Sequence, residues 1–303
     1  MYQLRQPAEE LSAHIESYWF VTSSEDAPVD LRVDVFVDGR SDLIFNFGAA
    51  YEREVIGGER RVIAASNLDA QRLRPIRITQ RGAVRTTGVR FRLGGLGAFA
   101  TIPLRTITDE TPPPAEVLGP TALELEAALR EETDLDAQAR LLDAHFLACR
   151  HREPSFRQFE RALATCIDTT GAASLADLAS AAAVSTRQVE RLFARYLGCP
   201  PKTLARILRF QHALRSLMQD PGTTLADVAM AAGYFDQAHF IKDFRRMSGG
   251  VPRGYRGYYP PQGPADFAPN VVVFLQDDDP GADFDELDEI DEPYEATPDD
   301  RPT

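Results

Sequence analysis

Two groups of side chains in this 303-residue chain have the types and spacing to grip a polyanion and read its surface. Arg187, Glu190, Arg191 and Arg195 form the first, and Ala238, Ile241, Lys242 and Arg245 the second. Steps of three and four residues bring side chains onto one face of a helix. An arginine there offers a planar fork of donors that matches a phosphate or the paired acceptors of guanine, while a lysine supplies a point charge. Glutamate accepts from a cytosine amine, and small apolar groups such as Ala238 and Ile241 can sit against thymine methyls.

Each group sits on the second helix of a repeated phrase. LADLASAAA begins at Leu175 and LADVAMAAG at Leu225. Ser174 with Asp177, and Thr224 with Asp227, are helix-start signals for the two copies. A second start follows each: Ser185 with Gln188 as a capping box, and Asp236 after Gly233, Tyr234 and Phe235. Each unit is therefore a short Ala-rich helix, a turn and a second helix, a helix-turn-helix stated twice over 174–198 and 224–249. Val189, Leu192, Phe193 and Tyr196 fall on the core face of one second helix, and Phe240, Phe244 and Met247 on that of the other. That leaves Arg187, Glu190, Arg191 and Ala194 outward in the first, and Ala238, Ile241, Lys242 and Arg245 in the second. The offset between copies is 50 at Leu175 and Leu225 but 51 at Val189 and Phe240, so the second turn is one residue longer. Between them PPKTLARILRFQHALRSLMQ reads as a rigid connecting helix, apolar at Leu204, Ile207, Leu208, Leu214 and Leu217. Such a spacer can hold two reading helices in successive major grooves, about 34 Å apart on one side of a duplex.

The charge distribution agrees with that reading, although the net charge of −13 does not. Residues 1–154 hold 18 basic and 24 acidic side chains, residues 155–260 hold 14 and 8, and residues 261–303 hold 1 and 14. The helical block is thus basic by six charges, and the last forty-odd residues carry as much negative charge as the whole chain shows. The three cysteines, Cys149, Cys166 and Cys199, make neither an even framework nor a CxxC pair, which suits a reducing cytoplasm. No run of apolar residues is long enough to span a membrane, and MYQLRQPAEELSAH is unlike a secretory signal.

The fold class expected is α+β. Residues 1–150 read as a mainly β domain, a sheet or a barrel of the cupin-like kind, with trailing helices. RVDVFVDGRSDLIFNFG alternates Val33, Val35 and Val37, turns at Asp38-Gly39 and resumes at Leu43, Phe45 and Phe47, the pattern of a hairpin. IRITQRGAVRTTGVRFRL alternates in the same way. TPPPAE at 111–116 precedes helical segments from Thr121 and Leu135. HREPSF at 151–156 marks the joint to an all-α domain over 155–260. NVVVFLQ at 270–276 is strand-like, and 277–303 is an acidic tail expected to be disordered. That tail reads as a solvating segment, an electrostatic brake lying on the basic block, or a contact for another protein.

From about Ser174 to Tyr255 the chain resembles the DNA-binding domain of the AraC/XylS family of bacterial transcription regulators. LADLA, VSTRQVERLFARYLGCPPKTL, LADVAMAAGYFDQAHFIKDFRR and the closing VPRGYR carry the resemblance, over roughly a third of the chain. It implies major-groove positions at Arg187, Glu190 and Arg191 in the first unit and at Gln237, Ala238 and Lys242 in the second. Ala238 and Ile241 stand where small hydroxyl residues are often found, so hydrogen-bond readout by the second unit is expected to be poorer. Residues 1–150, with YW at 18–19, DGRSDLIFNFG and TGVRFRLGG, are similar to an uncharacterised N-terminal domain found on some such regulators.

Other chemistry finds less support. The chain has no GxSxG, HExxH, phosphate-binding glycine loop or CxxC, so no catalytic residue is assigned. GGLGAFA lacks the full GxGxxG spacing, and a bend between strand and helix accounts for it equally. His145, Cys149 and His151 have ligand-like spacing, but no motif supplies further ligands, so neither a metal site nor a cofactor is expected. Trp19, Phe36, Phe45, Phe47 and Phe91 are core or pocket aromatics. The partners expected are double-stranded DNA, a small-molecule effector at the N-terminal domain, RNA polymerase and a second copy of the chain, with no membrane. Two other classes remain open at this point: a DNA-targeted enzyme with its chemistry in the β domain, and a nonspecific DNA-associated interaction protein.

Overall fold

The computed structural model describes residues 2–26, 28–151, 153–220, 222–255 and 271–274. Its strands are β1 (Tyr2–Arg5), β2 (Ile15–Thr22), β3 (Val29–Val35), β4 (Asp42–Asn46), β5 (Tyr51–Val55), β6 (Arg60–Ile63), β7 (Asn67–Asp69), β8 (Ile76–Gly82), β9 (Arg85–Phe91) and β10 (Val271–Phe274). They form two five-stranded antiparallel sheets, ordered β1-β2-β9-β4-β7 and β10-β3-β8-β5-β6. The β-rich reading of the N-terminal region holds, but the hairpin across Asp38-Gly39 does not form. β3 pairs with β8 in one sheet, whereas β4 pairs with β9 and β7 in the other. Residues 36–41 therefore cross between sheets. Gly39 makes the crossing in a left-handed conformation (φ 81°), and a Cβ there would meet Leu93 at 2.6 Å. The run NVVVFLQ does contain a strand, which lies antiparallel on β3. The tail 277–303 lies outside the described residues.

Buried polar pairs bridge the two sheets. Arg53 of β5 donates to Asp69 of β7 at 3.0 Å, and Tyr51 of β5 meets Asn67 of β7 at 2.9 Å. Arg72, 2 % exposed, sits against Asp69 and Asp38, and Arg90 of β9 reaches Asp38 at 2.5 Å and Asp42 at 3.0 Å. Burial alone would raise the Asp38 carboxyl, but the Arg90, Arg72 and Arg40 guanidiniums hold it below its usual range. The DGRSD stretch is thus the junction of a buried ion network, and the network fixes where the crossing segment lies.

Helices follow: α1 (Pro114–Leu118), α2 (Thr121–Glu131), α3 (Leu135–Cys149), α4 (Pro154–Asp168), α5 (Leu175–Ala182), α6 (Thr186–Tyr196), α7 (Pro201–Gln219), α8 (Leu225–Ala231) and α9 (Gln237–Ser248). Pro114, Pro154 and Pro201 each open a helix, where the missing N–H costs nothing. The hydrophobic core does not part at 151–156. One cluster runs from Leu43, Val89 and Phe91 on the first sheet through Phe146 on α3 and Phe159 on α4 to Phe193 on α6 and Leu204 on α7. A second gathers Ile207, Phe210, Leu214 and Leu217 of α7 with α8 and α9, and it takes in Phe36 and Val37 from the sheet crossing.

The glycine-rich GGLGAFA stretch belongs to this junction. Gly95–Ala98 is a single tight 3-10 turn, and a Cβ on Gly97 would meet the Tyr196 carbonyl oxygen of α6 at 2.6 Å. Its glycines let the β region and α6 approach closely. Of the aromatics singled out in the sequence, Phe36, Phe45 and Phe91 are fully buried core. Phe47 lies under the Arg85 and Arg130 guanidiniums, and Trp19 packs flat where Gly88 has no side chain.

Candidate nucleic-acid interface

The two repeated units fold as paired helices, and local hydrogen bonding explains why. Ser174 accepts from the Asp177 N–H at 3.2 Å while Asp177 accepts from the Ser174 N–H at 2.9 Å, a complete capping box. Thr224 accepts from the Asp227 N–H at 3.1 Å, Ser185 from the Gln188 N–H at 3.2 Å, and Asp236 from the His239 N–H at 2.7 Å. At Ser185 and Thr224 only the side-chain-to-backbone half of the expected box is present among the described residues. The turns are matched as well. The Val184 N–H returns to the Ala179 carbonyl at 3.0 Å and the Tyr234 N–H to the Ala229 carbonyl at 2.9 Å. The residue before each is left-handed: Gly233 in the second unit (φ 75°), but Ala183 in the first (φ 54°).

These bonds set the faces of α6 and α9. Val189, Leu192, Phe193 and Tyr196 are buried, as are Phe240, Phe244 and Met247. Arg187, Glu190, Arg191 and Arg195 are exposed on α6, and Gln237, Ala238, Lys242 and Arg245 on α9. Ala194 is only half-buried. Ile241, expected outward, is partly buried against the second core, because it lies seven residues before the buried Ser248 and so on the flank of the core face. Arg195 lies over the Tyr196 ring and 3.9 Å from Glu153, so it is partly engaged within the protein.

The connecting helix α7 holds both units, and its polar contacts were not foreseen. Arg206 of α7 donates to Asp243 of α9 at 2.7 Å, and Asp243 is 3 % exposed, so this ion pair pins α9 on the spacer. Arg209 lies over the Tyr234 ring and donates to the Gly233 carbonyl at 3.4 Å, fixing the second turn. An Asp and an Arg thirty-seven residues apart carry no spacing signal; only the inward register of Asp243, beside Phe240 and Phe244, hinted at burial. A cleft of about 870 Å³ separates the units, with Glu190, Lys202, Arg209 and His212 among its walls. The side chains of His145, Cys149 and His151 do not converge: the Cys149 thiol lies 3.9 Å from the Phe146 carbonyl, and a His151 ring nitrogen 3.2 Å from the Ala100 carbonyl. Among the described residues no helix is long and apolar enough to cross a membrane.

Residues 178–258 match the sequence profile of a family described as a helix-turn-helix domain. This part of the chain is an AraC-type helix-turn-helix domain. Residues 3–113 match a second family, a domain of unknown function designated DUF6597. Among curated proteins the chain is 34 % identical over 102 residues to the uncharacterized HTH-type transcriptional regulator YidL of Escherichia coli, covering 33 % of this chain and 34 % of that one. It is 38 % identical over 82 residues to the HTH-type transcriptional regulator GbdR of Pseudomonas aeruginosa, covering 27 % of this chain and 22 % of that one. The chain thus spans about a third or less of the length of these relatives. Among solved structures, a transcriptional regulator of Chromobacterium violaceum with an AraC-type DNA-binding domain is similar at 28 % identity and TM-score 0.33, over 35 % of this chain and 97 % of that one. ToxT from Vibrio cholerae is similar at 8 % identity and TM-score 0.42, over 75 % of this chain and 96 % of that one.

Proposed function

We propose that the protein is a sequence-specific DNA-binding regulator of transcription acting in the cytoplasm. The observation that carries this is the paired geometry of α6 and α9, each buried on one face, exposed and basic on the other, and pinned to one spacer helix. Arg187, Glu190 and Arg191 on α6 read base edges, while Arg195 and Arg245 reach phosphates and set position on the duplex. Gln237, Ala238 and Lys242 do the corresponding work on α9. Residues 1–150 form the regulatory part, which takes an effector, a second copy of the chain, or both. Residues 155–260 form the DNA-binding part, and RNA polymerase is the partner through which transcription responds. The acidic residues after Gln276 compete with DNA for the basic face.

The test is binding of the intact protein, and of the chain ended after Gln276, to genomic duplexes and to random duplex at several salt concentrations. A marked preference for particular fragments, with affinity falling steeply as salt rises, supports the reading. Equal affinity for all duplexes overturns it in favour of a nonspecific DNA-associated protein. Tighter binding by the shortened chain supports the brake, and unchanged binding removes it.

A further inference from the structure

The one residue that breaks the fifty-residue repeat is Phe235. Val184 and Tyr234 occupy equivalent places, each closing its turn on the preceding helix, and Ser185 and Asp236 are equivalent caps. Phe235 lies between Tyr234 and Asp236 and has no counterpart in the first unit. It is 92 % exposed, whereas its neighbour Tyr234 is 6 % exposed and packs at a tilt against the Phe240 ring. The protein leaves this ring almost uncovered, open to a partner.

The surroundings say what that partner is. Phe235 immediately precedes the N-cap of α9, so it stands at the end of the helix that leads into a major groove. Gln237 and Ala238 are exposed beside it, and Lys242 and Arg245 follow along the same helix, a cationic frame suited to a polyanion. On α8, Met230 is 73 % exposed where the first unit has Ser180. The first unit offers hydroxyl, guanidinium and carboxylate groups, whereas the second sets exposed apolar groups, Phe235 and Ala238, at the helix end that its cations Lys242 and Arg245 follow.

Resting on the proposed DNA-binding reading, we infer that the two units read by different chemistry. The first reads hydrogen-bonding base edges. The second reads the C5-methyl groups of thymines, with Phe235 as the principal contact and Ala238 admitting the methyl beside it. The half-site under α9 is therefore thymine-rich.

The experiment uses the intact protein and a duplex that it has selected from a random-sequence library. Each thymine is replaced in turn by deoxyuridine, which removes the methyl and leaves the hydrogen-bonding edge intact. Wild type should lose roughly fourfold in affinity at each contacted methyl, the weight of one buried methyl-sized group. Phe235→Ala should bind the unaltered duplex more weakly and be indifferent to those same replacements, while Phe235→Leu keeps most of the sensitivity. Unchanged melting temperatures for both variants separate a lost contact from a lost fold. If Phe235→Ala binds as wild type does, or every uracil replacement weakens both proteins equally, Phe235 is not a methyl reader and the inference is overturned. If wild type fails to enrich any sequence, the regulator reading fails first and the inference falls with it.

Discussion

The side-chain amide of Gln211 on α7 donates to the backbone carbonyl of Val37 at 2.6 Å, joining the spacer of the helix-turn-helix units to the segment that crosses between the two sheets. Val37 is tied a second time, its N–H donating to the Met247 carbonyl at the end of α9 at 3.1 Å. Both residues are buried. Gln211→Leu keeps the volume but leaves that carbonyl unsatisfied, and should lower stability by about 1–3 kcal/mol. Urea denaturation followed by circular dichroism and by the fluorescence of the single Trp19 should show both probes shifting together, because the core is continuous across the joint. Separation of the two transitions in the wild type would contradict that continuity.

Arg191→Ala on α6 should cost about 1–3 kcal/mol of specific binding and relax selectivity at one base position. The readout is affinity across a set of single-base variants of the selected duplex. Uniform weakening at every variant would move Arg191 from base reading to phosphate.

Ala183 and Gly233 hold the same left-handed place in the two units, and only the glycine does so without steric cost. Relief of the Cβ contact at Ala183→Gly is worth about 1–2 kcal/mol, partly offset by the greater freedom of glycine in the unfolded chain. The net expectation is a modest rise in melting temperature for Ala183→Gly and a fall for Gly233→Ala. A fall for both would mean that the Ala183 methyl makes up its strain by packing.

His145 is half-buried, its Nε2 has no hydrogen-bond partner, and burial pushes its pKa below the ordinary 6.5. Below 6.5 the unfolded chain takes up a proton that the folded chain resists. Stability is therefore fully present above that value and declines as pH falls from 6.5 toward the lower folded value. His145→Leu should flatten this decline in thermal melts between neutral and mildly acidic pH. An unchanged slope would assign the pH dependence elsewhere.

The helical units were legible because caps and the 3.6-residue period act locally. Ser174, Ser185, Thr224 and Asp236 each do what their side chains dictate, and the buried faces of α6 and α9 follow from spacing alone. The strand pairing was less accessible. Alternation at Val33, Val35, Leu43 and Phe45 specifies which face is buried but not which strand lies alongside, so one expected hairpin became two strands in different sheets. The interior position of Arg53 was hidden for a related reason, since an inward arginine is visible only once Asp69 is known to face it. Of the proposed reading side chains, their exposure was predictable and the Arg206–Asp243 pair that steadies α9 was not. The exposure of Phe235 needed both the repeat and the structure.

A glycine of positive φ follows each of α6 and α9 and abuts the N-terminal region. Gly198 lies against Leu104 and Thr108, whose hydroxyl donates to the Gly198 carbonyl at 2.8 Å, and Gly249 lies against Ile56 in the turn between β5 and β6. The first helix also shares its core with the first sheet, while the second is tied to Phe36 and Val37, where β3 leaves the other sheet. The two sheets are bridged by buried polar pairs such as Arg53–Asp69, and opening such a pair leaves a charge uncompensated in the interior. Each helix-turn-helix unit is thus anchored on a different sheet, so the β region and both units form one packed body rather than two domains on a tether.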